Sequence, residues 1–160
     1  MLDKYSYTVS TPEDAEYIGK HMRLADVEEI FAATGMDHED SIMIAQKYAD
    51  YCMTAKVDGV PVAMFGVKNT SMLLPRGCPW LLATDEMERH PIEVMKASRQ
   101  YMREVKKHYE YLENYVDTRH ETSIRWLQRF GFEVDIALPF GFQNLPFHRF
   151  YWHPELEQGE

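Results

Sequence analysis

His120-Glu-Thr-Ser-Ile-Arg-Trp-Leu-Gln-Arg-Phe-Gly-Phe132 (HETSIRWLQRFGF) is the stretch that decides the fold of this chain. Ile124, Trp126, Leu127 and Phe130 crowd one broad face at helical spacing, and Gly131 supplies the backbone freedom needed where a short helix stops. Phe132 then anchors a strand, so the segment reads as a helix that runs straight into a β-strand.

The segment before it, Tyr111 to Thr118, has strand character, and before that the apolar positions of Ile92 to Tyr109 recur with helical period, the longest such run in the chain. Trp80 to Thr84 is almost wholly apolar, which predicts a central strand covered on both faces. A hairpin precedes it. Tyr51 to Val57 alternates, Asp58-Gly59 favours a tight turn, and Val60 to Val67 returns, with Pro61 pointing to an edge or entry position and Gly66 to a bulge. Lys68 to Pro79 then reads as a loop and Asp85 to Pro91 as a polar turn.

Toward the N-terminus, Tyr5 to Val9 predicts a first strand, and Thr11-Pro12 the cap and first turn of a helix. Further helical pieces run from about Asp26 to Thr34 and from about Glu39 to Ala49, their apolar stripes serving as core. Toward the C-terminus, Glu133 to Leu138 and Phe147 to Trp152 read as strands joined by a loop from Pro139 to Pro146. The expectation is one α/β (α+β) domain over 1–153, with a mixed, mostly antiparallel sheet flanked by helices, and a tail at 154–160 that frays.

With 45% apolar residues, a chain of 160 residues has enough material for a substantial core. No apolar run is long enough to cross a membrane, and the first ten residues lack the apolar centre of a secretory signal, which predicts an intracellular protein. Cys52 and Cys78 form neither a C-x-x-C pair nor a disulfide framework, so no metal site is expected. A formal charge of −9 argues against tracking along a nucleic-acid backbone, and the basic residues from Arg89 to Lys107 read as a solvated helix face.

The order strand, helices, hairpin, central strand, long helix, strand, short helix, strand, strand, together with the spacing of 120–132, resembles the GNAT superfamily of N-acetyltransferases, whose motif in this position is N-x-x-A-x-x-L-Y-x-K-x-G-F. Gly131 and Phe132 match its last two residues. The resemblance implies that the central strand splays from its neighbour, that its backbone at Leu82, Ala83 and Thr84 binds the pantetheine arm of acetyl-CoA, and that a Q/R-x-x-G-x-G/A loop beginning near Arg89 and His90 wraps the pyrophosphate at a helix N-terminus. Several motif positions depart from that pattern. Ile92 and Val94 stand where the small residues belong, and Pro91 has no N–H to donate. The motif tyrosine, which can protonate a departing thiolate, is Leu127; the asparagine is His120 and the alanine is Ser123. The surviving candidates for acid–base work are Asp85, Glu86 and His120, although two acids opening a helix are equally explained by its dipole and a histidine at 120 by capping.

A narrower resemblance runs through HMRLADVEE (21–29), DGVPVAMFGV (58–67), TSML (70–73), GCPWLLATD (77–85), the Arg89-His90 pair and SIRWLQRFGF (123–132). These stretches are similar to the small internal virion proteins (internal core protein A) of short-tailed podoviruses. That resemblance implies a GNAT-like protein of a bacteriophage with a degenerate acetyl-CoA site and no expected cofactor. Its partners would be other phage virion or assembly proteins, met in the host bacterial cytoplasm or the virion interior. The alternative it leaves open is an acetyl-CoA-dependent N-acetyltransferase acting on a host or phage protein. Met72, Leu73 and Leu74 with Trp80 are either core or a partner-binding patch, as are the aromatics from Phe140 to Trp152.

Overall fold

A computed structural model of the chain describes residues 4–157. Its elements are β1 (Tyr5–Val9), α1 (Pro12–Lys20), α2 (Leu24–Thr34), α3 (His38–Tyr48), β2 (Tyr51–Val57), β3 (Val60–Asn69), β4 (Arg76–Ala83), α4 (Pro91–His108), β5 (Tyr111–Asp117), α5 (Glu121–Arg129), β6 (Glu133–Val134), β7 (Leu138–Phe140) and β8 (Leu145–Trp152). Short 3₁₀ turns span Asp85–Arg89 and Pro154–Glu157.

The strands form one mixed sheet in the order β1-β2-β3-β4-β5-β8-β6, with β7 also on β8. Every pairing is antiparallel except β4 with β5. The predicted α/β architecture is therefore present, and strand alternation explains its two cores. Met64 and Leu82 point to one face, where Ala15 and Ile18 of α1 and Ile42 of α3 cover them. Ala63, Phe65 and Ala83 point to the other, where Val94, Ala97, Tyr101 and Val105 of α4 pack, with Ile124, Trp126, Leu127 and Phe130 of α5 at its margin.

The helix starts follow local chemistry. Thr11 Oγ1 accepts from the Asp14 N–H at 3.1 Å while Asp14 Oδ2 accepts from the Thr11 N–H at 3.1 Å, a reciprocal cap ahead of Pro12 in the first turn. Asp37 caps α3 with a single bond, its Oδ2 accepting from the Asp40 N–H at 3.1 Å.

Four expectations are corrected. Lys68, Asn69 and Arg76–Pro79 are strand, so the β3–β4 loop shrinks to 70–75. Gly66 is not a bulge: it stays in register between Cys52 and Trp80, and the irregularity falls instead between Ala55 and Lys56, opposite Pro61. A Cβ at Gly66 would meet the Trp80 indole at 2.1 Å, so the glycine is the bed on which that ring lies. Third, Leu138–Phe140 and Leu145–Trp152 pair with each other, which reduces the predicted 139–146 loop to a tight connection at 141–144 with Gly141 and Asn144 at positive φ. Fourth, 154–157 form a turn that returns to the body, with Glu157 Oε1 accepting from Trp152 Nε1 at 3.1 Å and paired with Lys106. Residues 158–160 of the expected tail lie outside the described residues.

Candidate functional site

The parallel pairing of β4 with β5 is confined to Arg76–Tyr111 and Gly77–Leu112, after which the two strands diverge. The Thr84 N–H donates to the Val62 carbonyl at 3.0 Å, and this bond fixes which backbone groups face the opening. Residues 78, 80, 82 and 84 bond to β3, so the N–H and C=O groups of 79, 81 and 83 point into the splay. Proline at 79 costs no ladder bond there, since its absent N–H would face the gap.

Those backbone groups are largely taken by the chain itself. Asn114 Nδ2 of β5 donates to the Pro79 carbonyl at 2.8 Å. At the far end of the strand, Asp26 Oδ2 accepts from the Ala83 N–H at 3.0 Å, and the Arg23 N–H donates to the Ala83 carbonyl at 2.9 Å. The Arg23 guanidinium also clasps the Asp26 carboxylate, through Nε at 3.0 Å and Nη2 at 2.9 Å. Both residues are buried. Burial pushes the Asp26 carboxyl up from its ordinary value, while Arg23, His120 and the Ala83 N–H pull it back toward ionisation. Of the three residues, Leu81 keeps an N–H and a C=O aimed into the gap without such a contact among the described residues.

His120 stands at the start of α5 but its side chain does not cap the helix. Its Nδ1 lies 3.3 Å from Glu29 Oε2 and its Nε2 3.1 Å from Ser123 Oγ, with Asp26 Oδ1 at 3.8 Å from Nε2. Glu29 also accepts the Asp117 N–H at 3.0 Å. Asp117 is clasped in turn by Arg119, whose Nη2 is 2.6 Å from its Oδ2. Burial alone would raise the Asp117 carboxyl, but hydrogen bonds from the Arg119 side chain and backbone outweigh it and hold the group below its usual value. These contacts pin α2 to the corner between β5 and α5. The histidine thus serves as a buried polar tie, a role that its local sequence does not signal.

The remaining predicted site residues sit on or beside the 3₁₀ turn that follows β4. Asp85 is exposed, and Glu86 pairs with Arg89 at 3.4 Å and approaches His90 Nε2 at 3.9 Å. Leu82 is buried toward α1 and α3, and Ala83 is fully buried toward α4. Thr84 is buried too, and its Oγ1 has no hydrogen-bond partner among the described residues. The structure gathers Asp85, Glu86, Arg89 and His90 at one turn and places His120 in the separate network with Asp26 and Glu29. Val94 is wholly buried in the core and Ile92 is 66% exposed. The pair that enters the strand end comes from α2 and the residue just before it, with Asp26 57 positions from Ala83, a partnership without local signal.

Trp80 lies partly buried on Gly66, apart from Met72 and Leu73, which are fully exposed on the β3–β4 loop. Of the C-terminal aromatics, Phe147, Phe150 and Trp152 are core, whereas Phe142 packs on Phe31 of α2 with ring centroids 5.6 Å apart.

No family model and no curated protein matches this sequence. Solved structures do. The ribosomal-protein-alanine N-acetyltransferase of Brucella melitensis superposes with a TM-score of 0.70 at 14% identity, over 92% of this chain and 99% of that one. A GNAT-family acetyltransferase of Streptococcus pneumoniae gives 0.68 at 11%, over 94% and 99%. The yncA protein of Salmonella typhimurium, solved with its cofactor acetyl-CoA, gives 0.66 at 10%, over 93% of each chain. The chain has the GNAT fold.

Proposed function

We propose that this chain uses the GNAT fold as a scaffold for binding other proteins and does not carry out acetyl transfer. The observation that carries the reading is the occupation of Ala83, whose N–H and C=O are taken by Asp26 and Arg23. A thioester needs backbone donors at the splayed strand, and a pyrophosphate needs free N–H groups at the following helix. Asp26 and Arg23 use both backbone groups of Ala83 and Asn114 the Pro79 carbonyl in cis, which leaves those of Leu81, and Pro91 in the first turn of α4 lacks one N–H. The donors left for acetyl-CoA are thereby reduced to the Leu81 N–H on the strand and what remains of the first turn of α4.

The setting is read from the stretches GCPWLLATD and SIRWLQRFGF, whose similarity to internal virion proteins supports a part in phage morphogenesis, with virion or assembly proteins as partners in the host cytoplasm or the particle. Isothermal titration with acetyl-CoA tests the core of the reading. No binding heat is expected. Low-micromolar affinity that disappears in Arg89→Ala overturns it, and transfer of acetyl groups abolished by Glu86→Gln or Asp85→Asn would establish the acetyltransferase in its place.

A further inference from the structure

Arg99, Met102, Arg103 and Lys106 follow one another at i, i+3, i+4 and i+7, so they share one face of α4. With Arg129 and Phe130 at the end of α5 they line a groove of about 350 Å³. Its walls come from the C-terminal half of α4 and the C-terminal end of α5. The β4–β5 splay opens at the N-terminal ends of the same helices, so the two features are separate.

Three properties of the groove point to an anionic occupant. Arg99, Arg103 and Arg129 are exposed, and among the described residues none of them has an ion pair or a hydrogen bond. Arg23, Arg119 and Arg149 of the same chain are clasped by carboxylates; what sets the three groove arginines apart is that, unpaired, they converge on one cleft. Like charges at i, i+4, as at Arg99 and Arg103, work against the helix that carries them. Second, the groove has an apolar side: Met102 and Phe130 are half-buried and rest on the main core. Third, a carboxylate already occupies one end of it. Glu157 meets Lys106, whose Nζ also donates to the Phe130 carbonyl at 2.7 Å and lies 5.1 Å from the centroid of the Trp152 ring.

Resting on the protein-binding reading above, we propose that this groove docks an acidic segment of a partner protein. Its carboxylates meet the forks of Arg99, Arg103 and Arg129, and an aliphatic side chain lies against Met102 and Phe130. A long phosphodiester fits less well. The net charge of −9 repels an extended polyanion that runs beyond the groove, whereas a short acidic segment samples chiefly the local positive field.

The test uses the full chain and fluorescence anisotropy with a labelled peptide that alternates pairs of glutamate and leucine. A glutamine-for-glutamate version and a single-stranded oligonucleotide of equal length serve as comparators. Saturable binding to the acidic peptide is expected, weakened about tenfold or more in the combined Arg99→Ala, Arg103→Ala, Arg129→Ala variant and by raised salt, with little binding of the glutamine peptide. Thermal unfolding of the variant should match that of the parent, which separates lost binding from lost fold. The proposal is overturned by absence of saturable binding, by equal affinity in the variant, or by an oligonucleotide that binds as tightly as the acidic peptide. Such a failure leaves the acetyl-CoA titration untouched, so the two readings fall separately.

Discussion

The two ends of the α4–α5 layer carry opposite kinds of surface. At the N-terminal ends, where β4 and β5 part, the strand groups at Pro79 and Ala83 have partners from within the chain, and a buried Arg23–Asp26 pair closes the strand end. At the C-terminal ends, Arg99, Arg103 and Arg129 surround a groove without internal partners. A fold keeps its outline when the backbone groups at a strand splay are satisfied in cis, because the sheet and helices need only their packing. Unsatisfied charge contributes nothing to that packing, and its placement is better explained by what it meets outside.

The largest effect should come from the buried Arg23–Asp26 pair. Asp26→Ala strands the Arg23 guanidinium, which is only 7% exposed, and frees a buried N–H at Ala83. A loss of about 3–5 kcal/mol is expected in urea unfolding, with the share due to the stranded guanidinium restored when Arg23→Met is combined with Asp26→Leu while the Ala83 N–H stays unpaired. A loss below about 1 kcal/mol would mean that the pair does not secure the strand end. Gly66→Ala comes next. The added methyl collides with the Trp80 ring, and moving that ring should cost about 1–3 kcal/mol by the same measurement.

Asp117 supplies a pH signature. Its carboxyl is held below the usual value in the native state, so its contribution to stability is present above the unfolded value of about 3.9 and is lost as pH falls through the native one. Asp117→Asn should therefore lower stability at neutral pH by about 1–2 kcal/mol, and the gap to the parent should close on the acid side of pH 4. Parallel urea titrations across that range check it. A constant gap would show that the side-chain shape matters and its charge does not.

Much of this fold was legible because local rules and tertiary environment agree. Tyr5–Val9 alternates and is a strand at the sheet edge, the Asp58-Gly59 turn joins β2 to β3, and α4 with its C-cap buries Ser98, Tyr101, Val105 and Tyr109 of the stripe its period predicts, with Val94 and Ala97 beside them where Met95 was expected. The errors cluster at prolines and glycines whose cost the environment removes. Pro79 faces the splay, Pro146 lies past the β5 ladder, and Gly66 accommodates an indole. Departures from the resembled motifs are legible at Pro91 and Ile92 after β4 and at Leu127 in α5, because a motif fixes what each position should be. The Asp26–Ala83 bond and the Glu29–His120 tie were not visible, since each joins residues more than 50 positions apart and no periodicity in α2 marks them. The α4 cations were visible, but their reading as a solvated face left out Arg129 and the apolar wall at Phe130, which only the packing of α5 beside α4 brings together.

The smallest stability effect belongs to those cations, and it bears most directly on the contrast between the two ends. An arginine that helps hold the fold loses a partner when truncated; one kept for an external ligand loses only its stem contacts and some repulsion. Arg103→Ala should shift urea unfolding by no more than about 0.5 kcal/mol, with a slight gain at low salt as the repulsion between Arg99 and Arg103 disappears. Raising the ionic strength should erase that gain, because the charges are exposed and several ångströms of electrolyte screen them. A cost above about 1 kcal/mol that persists in high salt would make Arg103 a structural residue and remove the distinction between a satisfied end and an unsatisfied one.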